Sequence, residues 1–562
     1  MNKQLLSNAT EDFILKYRAA VKVKLTKEQF ANYLGIKPKS VLRRKQEIGK
    51  TIGLQLPFLI SNKTLPLTDD IINGYETVLY SMADGYIKSE KVNNVNDKLK
   101  TNIKPNQRYV ITSAQNATPI HEGFLKSLKT YCAYNDAQLL IIPYRYKNPT
   151  SVFTDSNQDW WHNSLSEYII TDEIKVGKHI RIMGNIKIQP TATSPLSGFD
   201  TVVGLDSAIF GHPNVELKMV PSVPGKMPKM LVTTGSITSP NYTDSKAGHK
   251  GAFNHSYSAV VLEINDNETF HIRHVTADNR GFFHDLDKKY TWTNVETNVR
   301  VTALVAGDSH AEIISQEVKN ALYNGNNSIA ETLKPQYMIF HDLIEMGARN
   351  HHTVRNTLGQ FVKHYFDEHD NVENSLQYAA DLLDEVSKPF AQNIVIKSNH
   401  DEHLDRWLNE MEPNIDPENA RFYHYLRYHQ YKAAQEKKKF DVFEFWTKNP
   451  DQYRGMANDR TRFLQREESF ELNDVELSLH GDLGVNGARG SLRALSRLGQ
   501  KMIIGHSHSP GIIQGTYYQT GTSTPLRLDY NRGVSTWLNT AAILYPDGNI
   551  TLIHIIDGAW KL

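Results

Sequence analysis

Short apolar runs alternate with polar, helix-forming stretches through the second half of this chain, and five of the runs end in a small polar cluster. Val301 to Ala306 ends in Gly307-Asp308-Ser309-His310, Tyr337 to Phe340 in His341-Asp342, and Ile394 to Lys397 in Ser398-Asn399-His400-Asp401. Val475 to Leu479 ends in His480-Gly481-Asp482, and Met502 to Ile504 in Gly505-His506-Ser507-His508. Short β-rich runs with helical segments between them predict strands of an α/β sheet. Ligands bind outside the carboxyl ends of such strands. The pattern therefore gathers Asp, His and Asn at one edge of one sheet, an inventory that suits two adjacent divalent metals and hydrolysis of a phosphate ester.

The same periodicity divides the rest of the chain. Thr10 to Val21 reads as an amphipathic helix; Thr26-Lys27-Glu28-Gln29 caps a second that stops at Gly35, and a third begins near Pro38. Two short helices broken by a glycine turn resemble a helix-turn-helix module, with Ala31 at the crossing and Ile36 and Val41 at apolar positions. Arg44 departs from that pattern, standing where an aliphatic residue is usual. Lys37, Lys39, Arg43, Arg44, Lys45 and Lys50 face only one acid, Glu47, a surface suited to phosphate contacts on DNA; a solvated basic face is the alternative. A polar stretch from Ser89 to Asn106 reads as a linker. Tyr109 to Thr112, His121 to Tyr131 and Gln138 to Pro143 then predict a strand–helix–strand unit, followed by short strands to about Thr293. A long helical insertion is expected from Glu402 to Glu468, and short strands again from Tyr517 to Ile556. The fold class is thus α/β (α+β). The expected domains are 1–70 (helical, helix-turn-helix-like), 100–297 (mixed α/β and β) and 298–562.

Composition narrows the functional classes. With 562 residues, 40% hydrophobic and 22% charged, the chain is an ordinary globular protein of several domains. A net charge of +1 carries no global polyanion signature, so any nucleic-acid contact is local. The single cysteine, Cys132, excludes an intrachain disulfide framework and a thiolate zinc site, and fits a reducing cytoplasm. No membrane span and no secretory leader is expected.

Taken singly the clusters are weak motifs; as an ordered set they are specific. Their order resembles the calcineurin-like metallophosphoesterases, whose pattern is Asp-x-His, Gly-Asp, Gly-Asn-His-Asp/Glu, His and Gly-His-x-His. The match spans about Val299 to Leu562, departing at His341 and Ser398, where the family has Gly. The resemblance implies a β-sandwich flanked by helices. It also implies a first metal on Asp308, His310 and His508, a second on Asn399, His480 and His506, and Asp342 bridging both. Ligands of this mixture suit Mn²⁺ foremost, with Mg²⁺, Fe or Zn²⁺ as alternatives. Such a pair activates a bridging hydroxide and clamps the displacement at phosphorus. His400 is then the acid-base residue, oriented by Asp401.

Arg489, Arg493 and Arg497 recur every four residues, as on one helical face that tracks a phosphodiester backbone or simply meets solvent. Arg349, His351 and His352 follow Asp342 closely enough to reach a phosphate. The expected function is therefore a metal-dependent phosphodiesterase cutting DNA, and the whole arrangement resembles phage-type nucleases that degrade host DNA in the host cytoplasm. A homo-oligomer is compatible with it. A phosphatase or cyclic-nucleotide phosphodiesterase is the competing enzyme, and a DNA-binding regulator on an inactive phosphoesterase scaffold the competing non-enzyme.

Overall fold

The computed structural model describes residues 8–52, 56–59, 67–68, 71–72, 75, 86–88, 107–151, 160–265, 269–349, 358, 370–412, 416–448, 455–528 and 531–561. The expected linker at 89–106 and the pair His351 and His352 lie outside them.

Three helices, Asn8–Lys22, Lys27–Tyr33 and Pro38–Ile52, open the chain. Thr26 starts the second as the capping pattern requires: its hydroxyl accepts from Gln29 N (3.1 Å) and its own N–H donates to Gln29 Oε1 (3.0 Å). Gly35 takes φ +64° in the turn before Pro38, a conformation glycine adopts without strain. Phe13, Tyr17, Phe30, Ala31 and Val41 form a separate small core with Tyr75. Arg44 is exposed, and its guanidinium lies 5.4 Å from the Phe13 ring, so its stem covers the core edge while its charge stays in water.

The strand–helix–strand unit is Gln107–Gln115, Glu122–Asn135 and Ala137–Tyr144, its strands paired in parallel; His121 is the helix N-cap, not its first residue. Strands Ser258–Ile264 and Phe270–Thr276 extend it to a four-stranded sheet. A buried charge network ties this sheet together. Arg273 donates to Asp285 (2.5 and 2.8 Å) and Glu263 (2.8 Å), Arg108 reaches the same Glu263 at 2.7 Å, and the Tyr131 hydroxyl donates to Asp285 (2.8 Å).

A six-stranded sheet holds the second half. Its order is Thr461–Leu464, Gln392–Ile396, Tyr337–Phe340, Ala303–Val305, Thr540–Leu544, Ile550–His554; the first four run parallel and the last two are antiparallel additions. Alternate residues divide between two cores, as strand periodicity demands. Leu304, Met338, Phe340 and Val395 face helices, among them Val372–Val386, Asn399–Glu410 and Val442–Thr447. Val305, Ile339, Ile394 and Ile396 face the opposite core, which a second sheet shares through Val475, Ile503, Ile512 and Tyr518. Burial on both faces explains why these strands read as unbroken apolar runs.

That second sheet has ten strands. Five come from residues 471–519 and five from 173–233, joined where Ile512 pairs with Leu217. One sheet thus contains strands from both sides of residue 298. The segment 402–468 is not wholly helical: after Pro417–Gln435 and Val442–Thr447 it returns as the edge strand Thr461–Leu464.

Candidate metal centre

The clusters leave the sheets at carboxyl ends and meet. Gly307-Asp308 follows Ala303–Val305, His341-Asp342 follows Tyr337–Phe340, Ser398-Asn399 follows Gln392–Ile396, and Gly505-His506 follows Met502–Ile504. Glycine permits the close approach. A Cβ on Gly505 would lie 2.4 Å from Asp308 Oδ1 and 3.0 Å from the His341 ring; one on Gly307 would lie 2.9 Å from the Gly521 backbone. Four residues of the cluster pay in backbone strain: His310, Asp342, His506 and His508 have φ of 41°, 42°, 78° and 59°. Non-glycine residues rarely hold this region, and sites where several do so together are typically functional.

All seven side chains expected as ligands come together. Asp308, His310, Asp342 and His508 offer atoms within 4.8 Å of one another, and so do Asp342, His480 and His506. Asp342 belongs to both groups. Asn399 joins the second, its Oδ1 being 3.1 Å from His480 Nε2. His480 Nε2 also lies 3.1 Å from Asp342 Oδ2, and His508 Nε2 lies 3.2 Å from Asp308 Oδ2.

Asp308, His310, Asp342 and His480 are almost fully buried, and the electrostatics call for positive charge. Burial resists ionising Asp342, but the facing imidazoles, His480 first, hold its carboxyl well below the usual range. Burial likewise opposes charge on His310 and His480, yet the surrounding carboxylates raise both to about 9. The polar atoms do not satisfy one another. Among the described residues Asp342 Oδ1 is buried without a hydrogen bond and Asp308 Oδ2 has only the His508 ring, 3.2 Å away and out of hydrogen-bonding alignment, a costly state that a cation relieves. His310 Nε2 and His508 Nε2 face each other at 3.1 Å, where two ring nitrogens share one proton or both turn lone pairs to a cation. Donor chemistry and orphaned atoms fit a metal ion, and the buried His/Asp cluster can hold one.

His400 sits beside this cluster, its ring 4.6 Å from that of His310 and its side chain 17% exposed. Its Nδ1 donates to the Glu345 carbonyl at 3.0 Å, and among the described residues Nε2 has no hydrogen-bond partner. The expectation that Asp401 orients it is corrected. Asp401 Oδ2 accepts from Ser398 N (2.9 Å) and Ser398 Oγ accepts from Asp401 N (3.2 Å), a capping box that starts Asn399–Glu410, while Asp401 Oδ1 has no partner. A serine at that family glycine position is thus a helix cap. The orienting group is Glu345, missed in the sequence although it is an acid three residues beyond Asp342. Its Oε2 lies 2.6 Å from His310 Nδ1, outside hydrogen-bonding alignment, and 3.5 Å from His400 Nδ1. His341, the other departure, is a buried ring whose Nδ1 lies 3.4 Å from His480 Nδ1; burial, with His480 nearby, pushes it down to about 4 and keeps it neutral. Trp537 packs its ring 4.2 Å from that of His508.

The basic candidates are placed differently. Arg349 is withdrawn from substrate: it donates to Asp416 at 2.8 and 2.7 Å and pairs with Asp370. Arg489, Arg493 and Arg497 are exposed but do not share a helical face. Gly490 and the N-cap Ser491 delay the helix, which spans only Leu492–Leu495, so Arg489 precedes it and Arg497 follows in a 3₁₀ turn. Lys37, Lys39, Arg43 and Arg44 are exposed, whereas Lys45 turns back to the Pro57 carbonyl (3.1 Å) and the Phe58 ring. Among the described residues no helix is long and apolar enough to cross a membrane.

No protein-family model matches the chain, and no solved structure matches it. It is 32% identical over 469 residues to Protein A1 of Escherichia phage T5, across 81% of this chain and 83% of that protein. Similarity at that level over most of both chains places this protein in the family of phage T5 Protein A1.

Proposed function

We propose that this protein is a metal-dependent phosphodiesterase of the calcineurin-like metallophosphoesterase type, and that its polymer is DNA. The observation that carries this reading is the convergence of six Asp, His and Asn side chains around Asp342, with His400 beside them and held through Nδ1. Asp308, His310 and His508 would hold one divalent ion and Asn399, His480 and His506 a second, with Asp342 common to both and Mn²⁺ the foremost candidate. Such ions supply Lewis acidity, acidifying a water toward hydroxide and neutralising charge at phosphorus.

The chain's own residues supply the rest. The Glu345 carbonyl fixes His400 with its proton on Nδ1, so Nε2 exchanges protons with the substrate. Protonated there, His400 donates to a phosphate oxygen and then to the departing alkoxide. Ser398 and Asp401 hold the helix start that carries Asn399 and His400, and Trp537 covers His508. DNA as substrate is supported by the exposed basic residues Lys37, Lys39, Arg43 and Arg44 on the helix-turn-helix-like segment, which suit phosphate contacts. With a phage relative, the setting that fits is the cytoplasm of an infected cell.

The test is His400→Ala against wild type on linear duplex DNA with Mn²⁺. Cleavage should fall by about 10²–10⁴-fold while Mn²⁺ binding is retained. A variant that cuts as fast as wild type removes His400 from the chemistry.

A further inference from the structure

A cleft of about 710 Å³ opens beside the helix Lys246–Phe253, bounded across from it by Thr193 and by Gln514 in the turn of the Gly511–Gln519 hairpin. Lys246 and Lys250 line it one helical turn apart, both exposed, and Phe253 stands at the helix end with 79% of its surface in solvent. The acid nearest them in sequence, Asp244, is engaged by His249 at 3.1 Å.

This cleft is joined to the metal centre by the arginine segment. At the cleft end, Arg493 Nη2 donates to Ser194 Oγ (3.3 Å), next to the lining residue Thr193. At the other end, Gly490 packs on Gly481 so closely that a Cβ would lie 2.1 Å from its carbonyl oxygen, and Gly481 directly follows His480. Arg489 directly precedes Gly490 at the metal-centre end of this segment and is bridged to the exposed Leu483.

We propose that Arg489, Arg493, Lys246, Lys250 and Phe253 form a track that leads a single strand of DNA from the metal centre into this cleft. The proposal rests on the phosphodiesterase reading and adds where the polymer lies. Cations at successive points neutralise successive phosphates, and a solvent-exposed aromatic ring among them offers a face on which an unpaired base stacks. Stacking requires the base to be free of its partner strand, and a cleft of this volume has room for nucleotides of one strand.

The test uses the full chain, a fluorescent oligothymidylate in EDTA, and hydrolysis of a small chromogenic phosphodiester with Mn²⁺ as a separate readout of the metal centre. Lys246→Glu with Lys250→Glu should weaken oligonucleotide binding about tenfold or more and flatten the slope of log affinity against log salt by about 1.4. Phe253→Ala should weaken binding about tenfold with the salt slope unchanged. Both variants should hydrolyse the small ester as wild type does, which also shows that they fold. Equal oligonucleotide binding by wild type and variants overturns the track and leaves the hydrolytic reading standing, as does a wild type that turns over the ester but binds no oligonucleotide. A wild type that hydrolyses neither ester nor DNA overturns the hydrolytic reading itself.

Discussion

Replacing Glu345 by Gln isolates the electrostatic support of the proposed metal site. The change keeps side-chain size and leaves the backbone carbonyl that holds His400 in place, so the loss is chiefly one negative charge 2.6 Å from His310 Nδ1. Its weight can be bounded from the structure. Burial works against a cation at His310, yet Glu345, Asp342 and Asp308 raise it from 6.5 to about 9, a net stabilisation of roughly 3 kcal/mol. Glu345 is foremost among those carboxylates, and losing an acid that backs a ligating imidazole costs about 10–100-fold in metal affinity, or roughly 1–3 kcal/mol. Titration calorimetry of Mn²⁺ into chelator-treated protein reads this directly. A Glu345→Gln protein within about twofold of wild-type affinity would refute the role given to this carboxylate.

Buried charged and imidazole groups allow two stability predictions. Arg273→Met leaves the buried Asp285 with only the Tyr131 hydroxyl and Glu263 with only Arg108, and should destabilise the fold by about 3–5 kcal/mol, read by denaturant unfolding; a loss under 1 kcal/mol would contradict the network's importance. Burial pushes His212, His255 and His274 down to about 4 and His554 to about 3, so the unfolded chain gains protons first as pH falls. Their contribution is whole above about pH 6.5 and is lost as pH falls to about 4, or about 3 for His554, at up to roughly 3–5 kcal/mol each, so the melting temperature should drop steeply across that window and a flat profile would be inconsistent with neutral buried imidazoles.

The candidate site was far more legible than the architecture around it, for physical reasons. Asp308, Asp342, Asn399 and His506 each follow a strand buried on both faces, and such strands leave an unbroken apolar signal that stops where the polar ligand begins. Residue type then carries much of the chemistry. Glu345 carried no such signal, because it lies past the strand end in a loop whose return toward His310 depends on tertiary packing. Asp401 misled for a local reason: a carboxylate three residues after a serine is also a capping box, and here the backbone took it. Arg489, Arg493 and Arg497 kept a four-residue spacing, but Gly490 and Gly499 leave too little helix to align them. The ten-stranded sheet was not readable, since its strands are two to five residues long and its joint pairs Ile512 with Leu217, far apart in sequence.

The central claim is that the buried cluster around Asp342 hydrolyses DNA with bound metal. It is tested most directly by incubating the purified chain with linear and covalently closed circular DNA in Mn²⁺, in Mg²⁺ and in EDTA, beside Asp308→Ala. Cleavage is expected with Mn²⁺, none in EDTA, and none by a folded Asp308→Ala protein with any metal. Cleavage that survives EDTA or the loss of Asp308, or a wild-type protein that binds Mn²⁺ and leaves both DNAs intact, would contradict it.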